Sequence, residues 1–432
     1  MTQRPFFVNS AWLIADKVVR LGLGLLVWVW LARYFGPATF GVWNYAMAFA
    51  ALYGAVTSLG LDGIVVRDLT RDNADAGAIL GTVLGMRLAA AVIAAAAAIG
   101  AAASSHAGEW LPVLLIALNC VVFILQSSQV LDFHFQARMR ARPAVLAGNI
   151  AFLFTTLVRL ALLALQAPIE WFGLSLVFEC ALSAFLLWRA YRADTDANLR
   201  WRFDLSLGRQ LLRESWPLLL SGMAVMLYMR LDQVMLAAMV GEAAVGQFAA
   251  ALRLAEVWYF IPAAIMTAAF PVMMRKKAES AHAYQSYIQW LYDGMAWLGF
   301  SVALTTTLIG PWIVRLLYGP EFAEAAGILA VQIWAGVAVA MSYVHGRWLL
   351  AEGLQKYNLL YTLIAAAINV ALNLVLIPRF GAVGAAWATL AAQTGPILVQ
   401  LLFPRTRRNF IAMVRTVAAP YRIWRWRAFP AG

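Results

Sequence analysis

Apolar runs of about 20 residues alternate with short polar links along this chain, twelve runs in all. An α-helix rises about 1.5 Å per residue, so each run just crosses the roughly 30 Å of bilayer hydrocarbon. The pattern predicts helices over 11–32, 40–60, 78–102, 110–133, 143–165 and 170–188. A second set follows over 216–240, 245–273, 288–308, 325–349, 359–377 and 382–402. The links are too short to fold alone. The fold class expected is therefore an all-α polytopic membrane protein of about twelve transmembrane helices, and a chain spent on spanning most naturally moves something across the membrane.

The basic residues give this map a direction. Of 33 Lys and Arg, seven fall inside the predicted spans, and only Arg33, Arg315 and Arg379 fall in one of the two alternating sets of links. The positive-inside rule puts the other, heavily basic set in the cytoplasm, with both termini. The first apolar run carries Asp16, Lys17 and Arg20 and is too long for the core of a cleavable signal peptide.

The longest polar link divides the chain into an N-terminal six-helix bundle (1–190), a basic linker (191–213), a C-terminal six-helix bundle (214–404) and a basic aromatic tail (405–432). Gly36-x4-Gly41 near the first hairpin of one half matches Gly241-x4-Gly246 in the other, each an outward turn where glycine permits tight backbone. Six helices per half is an even number, so both halves enter from the same side. The repeat is parallel, and two such bundles facing one another predict a central cavity. Gly77, Gly81 and Gly85 align a small-residue face on the third helix, which suits close helix packing. Pro262 and Pro396 each remove a backbone hydrogen bond and predict kinks.

The chain is 63% hydrophobic and 12% charged with a net charge of +12, so each charge at membrane depth needs a reason. The basic set there is Lys17, Arg20, Arg87, Arg159, Arg230, Arg253 and Arg347. The acidic set is Asp16, Glu179, Asp232, Glu256 and Asp293. A cavity that leans positive suits an anionic cargo, because guanidinium binds phosphate bidentately. Arg20, Arg87, Arg159, Arg230 and Arg253 are the candidate substrate-binding residues. Arg87, Arg159 and Arg230 lack an acid at i±3 or i±4, so their partners lie on other helices or in a ligand. Asp16 lies four residues before Arg20 and Arg253 three before Glu256, so both arginines have local pairing as an alternative. Arg347 and Asp293 lie near cytoplasmic ends, where they can snorkel. Asp232 and Glu256 are candidates for ion coupling, with charge balance for Arg230 and Arg253 as the alternative.

Arg405, Arg407, Arg408, Arg415, Arg422, Arg425 and Arg427, interleaved with Trp424, Trp426 and Phe429, suit the headgroups of an anionic leaflet. These bases form no groove-reading module, so membrane lipids and not nucleic acid are the partners expected. Cys120 and Cys180 read as small core residues. No metal-ligand spacing and no phosphate-binding loop are present, which leaves no resident cofactor, no catalytic residue and no built-in ATP drive.

The chain resembles the Wzx-type oligosaccharide flippases of the multidrug/oligosaccharidyl-lipid/polysaccharide exporter superfamily. The strings that carry the resemblance begin with Ala32-Arg33-Tyr34-Phe35-Gly36-Pro37, then Leu59-Gly60-Leu61-Asp62 followed by Arg67. Arg230-Leu231-Asp232-Gln233, Arg253-Leu254-Ala255-Glu256, Phe270-Pro271, Tyr318-Gly319-Pro320-Glu321-Phe322 and Asn369-Val370 with Asn373-Leu374 continue it in order. The resemblance implies a flippase for polyprenyl-diphosphate-linked oligosaccharide in the bacterial cytoplasmic (inner) membrane, serving O-antigen or other surface polysaccharide. It further implies alternating access through a cationic lumen, a Na⁺ or H⁺ gradient as drive, and other polysaccharide assembly proteins as partners. The rival within the superfamily is a multidrug exporter, whose cationic cargo would favour an acidic interior. A membrane glycan polymerase or transferase would need a sizeable extramembrane site, which these links do not supply.

Overall fold

The computed structural model describes residues 4–71, 75–194 and 201–416, with side chains from Arg20 onward. Among them there is no strand. Fourteen α-helices follow one another: α1 (Arg4–Gly54), α2 (Asp62–Leu69), α3 (Ala76–Ser105), α4 (Trp110–Gln126), α5 (Val130–Ala137), α6 (Arg142–Ala164), α7 (Ile169–Ala193), α8 (Leu205–Met239), α9 (Glu242–Glu256), α10 (Phe260–Glu279), α11 (Ala281–Tyr318), α12 (Ala323–Ala351), α13 (Gln355–Val399) and α14 (Pro404–Arg415).

Ten of the described helical stretches are long and apolar enough to span a bilayer. Two of these stretches hold two spans each. In α1 the backbone breaks at Gly36 (φ 68°, ψ 173°), a conformation essentially reserved for glycine. Trp28 and Phe40, which a straight helix would hold about 18 Å apart, bring their rings within 5.1 Å. In α13 the break is Gly381 (φ 56°). Across it, Gly395 packs on Ile368, and the Tyr361 hydroxyl donates to Thr406 Oγ1 at 2.8 Å. Both are hairpins closed by a single glycine, and counting their arms separately gives twelve spans. Gly241, the sequence counterpart of Gly36, has φ 113° and ψ 170°, so the matched glycines hold similar backbone.

The polar links did not mark every break. The second span, expected over 40–60, stops at Gly54. Residues 55–60 form turns with Leu59 at φ 53° and Gly60 at φ 66°, after which α2 starts afresh. A Cβ at Gly60 would lie 2.6 Å from Leu219 N, so α8 packs backbone to backbone here. The fourth span, expected over 110–133, passes through a 3₁₀ turn at Ser127–Gln129. A similar turn at Val257–Tyr259 separates α9 from α10, immediately upstream of Pro262, whose ring cannot donate to Trp258 O. The glycine face of α3 does not meet a helix alone: a Cβ at Gly81 would meet the Arg202 backbone at 2.5 Å, and one at Gly85 the Phe203 ring at 2.9 Å. The small residues admit the extended approach to α8.

The chain forms two compact units, Met1–Ala237 and Ala238–Gly432. Almost all of α8 belongs to the first, although the repeat expected from the sequence would put it at the head of the second bundle. The reason is local bonding: Asp204 N donates to Thr82 Oγ1 (2.9 Å), Gly60 abuts Leu219, and Arg67 pairs with Glu214 at 2.7 Å. In the first unit α4 packs between α1, α3 and α7. In the second, α12 packs against α9, α11 and α13. Ile93, Leu157 and Leu308 are among many large apolar side chains left exposed, as a surface facing lipid requires.

Candidate functional site

Four of the five candidate arginines lie in the first unit, and three of them, Arg20, Arg87 and Arg159, are half-buried or buried with partners on other helices or turns. Arg20 donates to Asn149 Oδ1 at 2.8 Å and stands 4.9 Å over the Phe152 ring, joining α1 to α6. Its expected partner Asp16 lies, with Lys17, outside the described side chains. Arg159 on α6 is ion-paired at 2.8 Å with Glu179 on α7, and its Nε donates to Ser175 Oγ at 3.0 Å. Glu179 is thus the interhelical acid that the spacing on α6 alone could not supply.

Arg87 on α3 is the most deeply buried of the set, with 6% of its side chain exposed. It donates to the Asp62 carboxylate and, at 3.3 Å, to Ser58 O, and it lies 5.0 Å over the Phe133 ring. Its Nε is buried with no hydrogen-bond partner. The pair is lopsided, since the Asp62 side chain is 62% exposed. Asp62 exists at this place because the span breaks at 55–60 and α2 begins with it. Sequence reasoning passed over it: it stands 25 residues before Arg87, outside any helical spacing, and beyond the end of a span drawn to Gly60.

Arg230 differs from these. It is half-buried on α8 and makes no ion pair, hydrogen bond or ring contact among the described residues. Asp232, two positions on, is buried, and its carboxylate accepts from the Gln233 backbone at 3.0 Å. In the second unit Arg253 and Glu256 are both half-buried at the end of α9, Glu256 being the last residue before the 3₁₀ turn. Arg347 stands 5.3 Å over Phe270. Asp293, expected to snorkel, is instead buried at 3% exposure and accepts from Gln289 Nε2 at 2.8 Å. The helix register turns it inward, and Gln289 one turn away satisfies it there.

The second unit also holds a polar group that charge counting could not reveal. Asn409 on α14 donates to Tyr292 Oη at 2.9 Å and meets His345 Nδ1 at 2.7 Å. Thr406, one turn earlier, receives the Tyr361 hydroxyl. These neutral contacts pin α14 against α11, α12 and α13 while Arg405, Arg407 and Arg408 stay exposed. The rest of the basic aromatic tail, from 417, lies outside the described residues. Among the described residues no cluster of His, Cys, Asp or Glu could hold a metal ion.

A model of the polysaccharide biosynthesis protein family matches residues 6–277, well over half of the chain. The chain belongs to that family. Comparison with curated protein sequences gives no match. Among solved structures, the lipid II flippase MurJ in an inward closed conformation is similar over 97% of this chain and 93% of its own, with a TM-score of 0.69 and 13% identity. A multidrug resistance MATE family transporter of the MOP superfamily, inward-facing, covers 92% of this chain and 96% of its own at a TM-score of 0.66 and 16% identity. An outward-facing MATE family transporter covers 93% and 94%, with a TM-score of 0.58 and 15% identity. At such identities the likeness is one of fold, and the fold shared is a twelve-span, two-lobed one. The chain is thus a multi-pass membrane protein of the polysaccharide biosynthesis protein family, with the fold that those solved transporters share.

Proposed function

We propose that the protein flips polyprenyl-diphosphate-linked oligosaccharide from the inner to the outer leaflet of the bacterial cytoplasmic membrane, supplying the assembly of a surface polysaccharide such as O-antigen. Both termini are cytoplasmic, the two six-helix repeats alternate access, and an ion gradient drives the cycle through Asp232 or Glu256. The observation that carries this reading is the pair of guanidiniums with unused donors in a chain of this family: Arg230, unpartnered among the described residues, and Arg87, with its Nε buried and unbonded. Burying a charge with spare donors is costly, and a diphosphate supplies the acceptors that would offset it. The likeness to MurJ, named for lipid II, supports a lipid-linked diphosphate as the class of cargo.

Deleting the protein in a host of known glycan assembly tests the reading. Finished lipid-linked oligosaccharide should accumulate on the cytoplasmic leaflet; normal surface glycan would overturn it. At the residue level, Arg230→Gln should lower export by about 10–100-fold, the worth of one charge-assisted hydrogen bond, with Arg230→Lys rescuing part. A well-expressed Arg230→Gln variant that exports normally would remove Arg230 from the cargo path. For coupling, Asp232→Asn and Glu256→Gln should each be assayed for ion-dependent flipping. Unchanged ion dependence in both would leave them as counter-charges.

A further inference from the structure

We propose that Asp62 is a displaceable counter-anion: it occupies the Arg87 guanidinium until a phosphate group of the cargo takes its place, and its departure loosens the turn that leads into α2. The proposal rests on the reading of Arg87 as a cargo contact and names the group the cargo must compete with.

The lopsided burial defines the direction of approach. Arg87 is 6% exposed, with the Phe133 ring and the Ser58 carbonyl against it, while the carboxylate that covers it is 62% exposed. Whatever reaches the guanidinium comes from the side where Asp62 stands. Among the described residues Asp62 has no second partner, so nothing but Arg87 holds it. The other charges of α2 are already committed: Arg67 bridges Asp68 at 2.9 Å and Glu214 at 2.7 Å, and Arg71 meets Asp68 at 3.4 Å. They neither hold Asp62 nor replace it.

The exchange also has a mechanical side. Arg87 binds both ends of the segment from Ser58 to Asp62, through a carbonyl and a carboxylate. Between those contacts lie the two positive-φ residues Leu59 and Gly60. A diphosphate offers more acceptors than one carboxylate and matches the planar fork of guanidinium. When it replaces Asp62, one of the two ties between α3 and this turn is lost, and α2, only eight residues long, is held less firmly. Loading is thereby read out as loosening of a segment at the end of the second span.

The test uses the full-length protein in lipid nanodiscs with inorganic pyrophosphate as probe. Asp62→Asn should bind pyrophosphate about tenfold more tightly than the wild type, because the competing carboxylate is gone, and Arg87→Gln should lose binding. In the wild type, saturating pyrophosphate should raise amide hydrogen exchange across residues 58–69, a readout that needs no variant to fold. Equal affinity of Asp62→Asn and wild type overturns the proposal, and so does unchanged exchange across 58–69 at saturation. If Arg87→Gln binds as the wild type does, or if the wild type does not bind at all, the reading of Arg87 as a cargo contact falls and takes the proposal with it.

Discussion

The two compact units each carry polar groups inside an apolar bundle, and the contacts that hold them differ. The first holds its helices with ion pairs: Arg87 with Asp62 and Arg159 with Glu179. In the second, several inward contacts join neutral partners: Asn373 to Asn369 at 3.0 Å, Gln247 bridging Glu321 O and Ala325 N, and Asn409 among Tyr292, His345 and Gln400. A neutral group that loses its partner in a low dielectric is left with an unmet hydrogen bond, whereas a charged group is left with an uncompensated charge. The first unit is thus built from contacts that matter only as pairs and respond to an incoming charge. The neutral contacts of the second leave only an unmet hydrogen bond when one partner goes.

Substitutions sharpen this contrast, beginning where the effect is largest. Glu179→Gln strands the Arg159 guanidinium and should destabilise the protein by about 3–5 kcal/mol, while an Arg159→Met, Glu179→Leu double variant should recover most of that loss. Thermal unfolding of the detergent-solubilised protein measures both. If the double variant is as unstable as the single, the pair does more than balance charge. In the second unit, Asn409→Ala should cost less, about 1–3 kcal/mol, and its effect should be confined to α14. Hydrogen exchange would show α14 opening with α11 and α12 unchanged; loss of protection throughout the unit would contradict the division drawn here.

The smallest effect expected is a pH dependence at the start of α8. The Asp204 carboxylate accepts from Ser206 Oγ at 2.6 Å and from the Ser206 and Leu207 amides at 2.8 and 3.2 Å. These bonds hold its pKa below the ordinary carboxylate value, the Ser206 hydroxyl foremost. With the folded value depressed, the cap's contribution is complete above the unfolded carboxylate value near about pH 4, and it fades as pH falls through the folded value. Asp204→Asn keeps the capping geometry and should abolish that part of the acid sensitivity. An identical acid profile in both proteins would rule the cap out as its source. The neighbouring Arg67–Glu214 bridge is exposed and should weaken with added salt.

Much of this architecture was legible in the chain because span length and apolar run are the same quantity. The matched glycines at Gly36 and Gly241 were legible too, since turns with such backbone leave few residue choices. The break after Gly54 was not: Ala55-Val56-Thr57-Ser58-Leu59-Gly60 is as apolar as the helix before it, and hydropathy carries no torsion angles. The same blindness hid the partners of the arginines. Spacing on one helix shows who cannot be a partner, as for Arg87 and Arg159, but Asp62 and Glu179 are chosen by packing between helices. Asp293 was misplaced because distance along the chain from a span end says nothing about which way the side chain turns.

The single-residue turns at Gly36 and Gly381 have a practical consequence. Each returns the chain into the bilayer with almost no segment left outside, so there is no strand for a protease to draw into its cleft and no stretch for an antibody to grip. An epitope or a fluorescent reporter placed there must bring its own flexible arms, whereas a single cysteine label asks for no added chain. Each hairpin offers its surroundings little more than a bend of backbone.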